Sequence, residues 1–310
     1  MSRWGKLMRE AAVEADRPGV NAGGRDWFPF ALPSSPFKRG LVLCMGLSLL
    51  ALCPARRSRL LAGDIDDFAT LGRSGRWMLA ALGWVGARSG RLAMLQPIHR
   101  RFWQSREGVL HYGHHENRHS GEFLMHHVDV VDEVCAAAMV HGIESLVEFG
   151  CGRGEVLQHF LRTGPFAAGI GVDLSAGLLA IARAATIDPR ISYACNDALG
   201  WLRVSGKPGC VYLTNGGVYE YFSPERLREL FAHIYGTLRP AIIALVEPLS
   251  PDHDLEADTR SRTYGIEQSF SHPYPALLRD AGFSILHQTD YRDGAAQRWL
   301  RLIAVAGPTA

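Results

Sequence analysis

Lysine is almost missing from this chain of 310 residues, with 3 lysines against 30 arginines. Any basic surface is therefore built from arginine, which fits a GC-rich coding sequence as well as it fits a binding surface. The 6 cysteines are scattered and form no C-x-x-C pair. That argues against a disulfide framework and against a structural zinc site, and it fits a reducing, cytoplasmic compartment. No apolar run reaches the ~20 residues of a spanning helix. The longest, Gly40 to Cys53, also lies too far from Met1 to read as a signal peptide. No internal repeat is present.

Charge is balanced overall at +2 but unevenly distributed. Residues 1–107 carry 17 basic and 8 acidic side chains, a net of +9, and the remainder carries 16 and 23, a net of −7. A basic front end attracts an anionic partner, a lipid headgroup or a nucleic acid. Residues 1–38, rich in proline, glycine and charge without periodicity, read as a poorly ordered tail. Residues 39–107 read as a helical extension, both basic and apolar. In it, Gly40 to Cys53 is flanked by Lys38, Arg39, Arg56, Arg57 and Arg59. A second stretch, Arg76 to Leu95, sets Trp77, Leu79, Leu82, Trp84 and Leu92 among Arg73, Arg76, Arg88 and Arg91. Gly40 to Cys53 reads as a buried helix or as a helix lying in a membrane interface, and the extension as a whole as a cap on the following domain or as a membrane-interface element.

Six of the 13 histidines fall between His111 and His127. Glu122, His126 and Asp129, with His119 one turn earlier, share a helical face that could in principle hold a metal. Their spacing matches no established zinc pattern and a solvated polar face explains it, so no metal is expected.

The most informative segment is Leu146-Val147-Glu148-Phe149-Gly150-Cys151-Gly152-Arg153-Gly154. An apolar run bearing an acid breaks into three glycines at alternate positions, and an amphipathic stretch, Glu155 to Leu161, follows. The pattern predicts a buried strand, a tight turn and a helix start. Glycine lets the backbone approach a ligand closely, and the helix start offers free N–H groups. The dinucleotide fingerprint needs its third glycine three residues after the second, whereas here Gly154 lies two after Gly152 and is followed by Glu155, which would repel a pyrophosphate. A nicotinamide-dependent oxidoreductase is therefore disfavoured.

The pattern E-x-G-x-G-x-G resembles motif I of the class I S-adenosylmethionine-dependent methyltransferases, over roughly Tyr112 to the C-terminus. The resemblance implies a Rossmann-like, doubly wound α/β fold. Its seven-stranded sheet would be mostly parallel, with an antiparallel C-terminal strand, and the helical N-terminal extension would precede a domain spanning 108–310. Further strands are read at Ala168 to Asp173, Ile191 to Cys195, Cys210 to Leu213 and Ala241 to Val246, with a final hairpin of Phe283 to Tyr291 and Arg298 to Ala306. Asp173, nineteen residues past Gly154, suits a carboxylate taking both ribose hydroxyls. By resemblance, Asp197 after the third strand contacts the adenine amino group. The implied cofactor set is Tyr112, Glu148, Gly150, Gly152, Gly154, Asp173, Leu174, Asn196, Asp197, Ala198 and Asn215, with S-adenosyl-L-methionine as cofactor. Leu110-His111-Tyr112-Gly113 also resembles the segment that precedes motif I in the tocopherol, sterol and cyclopropane-fatty-acid branch, where the aromatic residue covers the methionine end of the cofactor.

Methyl transfer is a displacement at an activated carbon, so the protein mainly orients the nucleophile and excludes water, and a base is needed only where the acceptor must lose a proton. Glu220, His272, His114 and His115 are the candidate bases. Asn215-Gly216-Gly217-Val218 lacks the two prolines and the aromatic residue of amino-methylating nucleic-acid enzymes, so a nucleic-acid substrate is disfavoured. The reading is a methyltransferase acting on a small, lipophilic-leaning molecule with oxygen as the acceptor atom, in contact with a membrane surface through residues 39–107 if the interfacial reading holds. The alternative is a non-catalytic relative that keeps the fold for binding or scaffolding. The oligomeric state is left open.

Overall fold

The computed structural model describes residues 28–114, 128–265, 267–293 and 297–308. Its centre is a seven-stranded sheet. β1 (Ser145–Phe149), β2 (Ala168–Asp173), β3 (Ile191–Cys195), β4 (Cys210–Asn215) and β5 (Ala241–Leu249) run parallel. β8 (Ser284–Asp293) and β9 (Gln297–Ala306) complete it, in the order β3-β2-β1-β4-β5-β9-β8. β9 is antiparallel to both of its neighbours, pairing Ala241 with Ala306 and Ile285 with Ala304. This is a Rossmann-like, doubly wound sheet with one antiparallel strand. β5 is buried at all nine positions, and its apolar run from Ala241 to Val246 is the signature of a strand covered on both faces.

Helices cover the two faces of the sheet. α6 (Val128–Val140) and α7 (Glu155–Thr163) bury Val130, Val134, Leu157 and Phe160 on one side. α9 (Ala198–Ser205), α10 (Pro224–Thr237) and α11 (Tyr274–Ala281) bury Leu199, Leu227, Phe231 and Leu278 on the other. Helix starts follow local chemistry. Ser175 caps α8 (Ala176–Ala185) by accepting from the Leu178 N–H, Asp197 caps α9 through the Gly200 N–H, and Ser223 caps α10 through the Arg226 N–H with Pro224 just inside. The chain leaves β1 towards β2 and β3, then returns across β1 to β4. The crevice between the carboxyl ends of β1 and β4 is the switch point where ligands bind in open α/β sheets.

A small antiparallel pair, β6 (Arg262–Tyr264) and β7 (Ser269–Ser271), follows β5 and was not expected from the sequence. Strands of three residues carry too little pattern to be read.

The extension consists of α1 (Pro36–Leu52), α2 (Pro54–Leu61), α3 (Gly72–Ser89), α4 (Gln96–Trp103) and α5 (Arg106–His114). Its core joins Phe30, Phe68, Leu79, Leu82, Ile98 and Phe102 to Phe270 of β7. Three expectations need correction. Phe28 and Phe30 fall within the stretch read as a poorly ordered tail, yet they are 1% and 2% exposed, anchored by this core; residues 1–27 lie outside the described residues. The Arg76 to Leu95 stretch is core rather than interfacial, since Leu79, Leu82 and Leu92 are buried. The Gly40 to Cys53 run is helical but not a buried helix: only Gly46 and Leu50 of α1 are buried. No single helix among the described residues is long and apolar enough to cross a membrane.

Candidate functional site

The bend after β1 is built as its glycines require. Gly150, Gly152 and Gly154 have φ of +67°, +52° and +75°, the left-handed region where a Cβ is strained. Space is also short. A Cβ at Gly150 would lie 2.4 Å from Val218, one at Gly152 2.6 Å from the Tyr112 hydroxyl, and one at Gly154 2.2 Å from the Tyr193 hydroxyl. Beside the bend, at the switch point, opens a cavity of about 340 Å³. That is within the usual range for a small-molecule site.

Along one end the cavity is lined by Tyr112, Glu148, Gly150, Asp173, Leu174, Asn196, Asp197, Ala198 and Asn215, the residues that the resemblance brought together. Gly152 and Gly154 do not line it. The first lies beneath the Tyr112 ring, and the second is the left-handed cap of α7 with its open side against Tyr193. They shape the bend rather than face a ligand.

Glu148 is 3% exposed and its Oε2 has no hydrogen-bond partner. Burial, then the backbone N–H of Leu157 acting against it, then the charges of Asp173 and Glu155, leave its carboxyl pushed well above the ordinary value. A buried carboxyl oxygen without a donor awaits one from a ligand. Asp173 accepts from the Gly152 N–H at 2.9 Å and the Ser175 N–H at 2.7 Å, which ties the bend to the end of β2; burial outweighs these bonds and raises its pKa. Asp197 has more partners than the sequence suggested. Its Oδ1 accepts from the Gly200 N–H at 2.9 Å and from Arg226 at 2.6 Å, and its Oδ2 lies 3.2 Å from Arg100 of α4. Burial works against ionisation, but these donors win and lower its pKa. The carboxylate expected to meet the adenine amino group is thus already held by two arginines.

Of the two candidate bases whose side chains are described, Glu220 lies on the cavity wall and His272 does not. His272 is corrected: it is fully buried, donates from Nε2 to the Phe222 carbonyl at 3.1 Å, and accepts at Nδ1 from the Ser261 hydroxyl at 2.7 Å. Both ring nitrogens are committed to packing the β6–β7 region, and burial pushes its pKa down to about 3. His115 lies outside the described residues, as does the side chain of His114 at the end of α5. The proposed metal-face residues His119, Glu122 and His126 also lie outside them; among the described residues no cluster could hold a metal ion.

Beyond Glu220 and its loop, the rest of the cavity wall was not foreseen. The wall at this end includes Trp103, His111, Tyr221, Tyr264, Glu267 and Trp299. The Tyr264 hydroxyl donates to Glu220 Oε2 at 2.9 Å, the Tyr221 hydroxyl to Glu267 Oε2, and His111 Nε2 lies 3.6 Å from Glu267 Oε1. His99 Nε2 donates to the Glu267 carbonyl at 3.0 Å across 168 residues of sequence. Apart from His111, in the Leu110–Gly113 segment, no local motif marks these residues, because the β6–β7 pair, α4 and α5 bring them together from distant parts of the chain.

Residues 146–241 match the model of a methyltransferase domain. A search of curated proteins finds no match. Among solved structures, the chain is similar to magnesium protoporphyrin IX methyltransferase from Synechocystis PCC 6803 with bound S-adenosylmethionine, at 16% identity and a TM-score of 0.42, covering 68% of this chain and 97% of that one. It is similar to the Burkholderia thailandensis 1,6-didemethyltoxoflavin-N1-methyltransferase, at 19% identity and 0.43, covering 64% and 88%. A third likeness is to the [4+2]-cyclase SpnF, at 16% identity and 0.44, covering 58% and 82%. Likenesses this loose say nothing of a substrate.

Proposed function

We propose that this chain, whose residues 146–241 match the model of a methyltransferase domain, binds S-adenosylmethionine and transfers its methyl group to an oxygen of a small molecule. The observation that carries the reading is the cavity on the glycine bend, with the unpartnered Oε2 of Glu148 and the Asp173 carboxylate on its wall. Bound there, S-adenosylmethionine supplies a methyl group on a cationic sulfur. Glu148 and Asp173 offer acceptor atoms to the cofactor's ammonium and hydroxyl groups. The Asp173 carboxylate keeps acceptor capacity beyond the backbone N–H groups that it already holds. Tyr112 lies over Gly152 and shields the bend from water. Asp197, with Arg226 and Arg100, closes the end beyond β3.

Calorimetry with S-adenosylmethionine tests this. Saturable binding to the wild-type protein is expected, with Asp173→Ala weakening it about tenfold or more, as loss of a charged hydrogen-bonding group implies. A flat trace from folded wild-type protein refutes the reading.

Contact with a membrane surface is the second part of the proposal, and one observation favours it. The outer side of α1 exposes Phe37, Leu41, Met45 and Leu52 at 81%, 52%, 40% and 79%. Lys38 and Arg39 on α1 and Arg57 and Arg59 on α2 are exposed nearby. Apolar side chains bordered by cations suit an anionic lipid surface. Through this face the protein would reach a lipophilic acceptor where it is dissolved.

A further inference from the structure

We propose that Glu220 and Glu267 form the acceptor seat of the cavity and select an uncharged aromatic hydroxyl compound, Glu267 taking its proton as the methyl group arrives. This rests on the methyltransferase reading and gives the acceptor its chemical class.

The seat is built from three parts of the chain. Glu220 follows β4, Glu267 lies in the turn between β6 and β7, and His111 and Trp103 come from the extension. Glu220 is 7% exposed and fits only because Gly217 has no side chain; a Cβ there would lie 2.2 Å from Glu220 Oε1. Burial first, then the neighbouring charge of Glu267, keep the Glu220 carboxyl protonated well above the ordinary range. Burial also acts against ionisation of Glu267, but His111 and the Tyr221 hydroxyl more than offset it and hold that carboxylate ionised. Two carboxyl groups driven apart in this way divide the roles of proton holder and proton acceptor.

Three features point to the acceptor. Glu267 sets an ionised carboxylate in a buried wall, so the carboxylate of a ligand seated against it would meet like charge. Trp103 and Tyr221 both line the cavity and pack edge to face with ring centroids 5.3 Å apart, an aromatic wall suited to an aromatic ring. The buried indole N–H of Trp103 has no hydrogen-bond partner. A hydroxyl answers both needs, donating to Glu267 and accepting from a wall N–H, whereas an ionised carboxylate has no proton to donate.

The proton balance is simple. The hydroxyl oxygen forms its bond to the methyl carbon as the carbon–sulfur bond breaks, and that electron pair returns to sulfur. The oxygen becomes oxonium-like, so its proton turns strongly acidic and passes to the Glu267 carboxylate even though this is a weak base. The proton then leaves to solvent, restoring the singly protonated pair.

The test compares 2-naphthol with 2-naphthoate by calorimetry on the full chain saturated with S-adenosylhomocysteine. Binding of 2-naphthol is expected, with 2-naphthoate at least tenfold weaker and E267Q narrowing that gap. In turnover with S-adenosylmethionine, E267Q should lower kcat for naphthol methylation about 100-fold, the usual contribution of a general base, while its cofactor affinity stays within twofold of wild type. Naphthoate binding as tightly as naphthol overturns the assignment, and so does naphthol failing to bind while S-adenosylhomocysteine binds normally. Neither comparison needs a variant to fold. Failure of the wild-type protein to bind S-adenosylhomocysteine would instead sink the methyltransferase reading.

Discussion

At the residue scale, the loop between the two ends of the cavity hangs on one carboxyl group. Glu247 on β5 is fully buried. It accepts from the backbone N–H groups of Val218, Tyr219 and Glu220 at 3.1 to 3.3 Å and from the Tyr274 hydroxyl at 3.4 Å. It therefore fixes the turn that carries Asn215 and Glu220. Burial raises its pKa from 4.5 to about 7, against the pull of those N–H groups. Between these values the unfolded chain is ionised while the folded one keeps the proton. The contribution to stability is thus full below pH 4.5, declines through the interval by about 1.4 kcal/mol per pH unit, and is level above pH 7. Chemical denaturation of wild type and E247Q from pH 5 to 8 measures it: the difference between their stabilities should fall with that slope, and a constant difference refutes it. The glycine bend was legible because positive φ at alternate positions demands glycine in the sequence itself. The pairing of Asp197 with Arg226 and Arg100 was not, since nothing local to a carboxylate names a partner on another helix.

At the element scale, α1 shows what hydropathy leaves undecided. An apolar run flanked by cations predicts a helix, and a helix forms, but the run alone does not say which side is covered. Gly46 decides it. A Cβ there would lie 2.2 Å from the Trp77 carbonyl, so α1 crosses α3 at close range on its glycine side and leaves Phe37, Leu41 and Leu52 outward. Vesicle sedimentation tests the outward face. Phosphatidylglycerol vesicles should carry the protein down and phosphatidylcholine vesicles should carry much less. Exchanging Phe37 and Leu52 for glutamate should abolish the difference without lowering Tm, because both side chains are exposed. Equal sedimentation of the variant and the wild type would rule this face out.

At the scale of the whole molecule, the extension is part of the cavity. Gln96 Oε1 accepts from the Ser223 N–H at 2.9 Å, Arg100 pairs with Asp197, and His99 holds the Glu267 backbone. Phe28 lies 6.4 Å from Tyr221, and His99 5.9 Å from Phe270, so one aromatic cluster spans the boundary between extension and sheet. A shared core unfolds cooperatively. Thermal melts followed by tryptophan fluorescence and by far-ultraviolet circular dichroism should therefore coincide, the first weighted towards the extension, which holds Trp77, Trp84 and Trp103. Two separated transitions would show that extension and sheet fold independently.

By itself the sequence determined the sheet, its bend and the acids at the strand ends, because strand periodicity, helix caps and left-handed turns are demands that the backbone makes on neighbouring residues. Only the tertiary structure decided the far wall of the cavity. Trp103, His111, Glu220 and Glu267 owe their meeting to the docking of α4 and α5 against the β6–β7 turn. Contacts between distant segments are set by how whole elements pack, and a linear pattern carries no record of that.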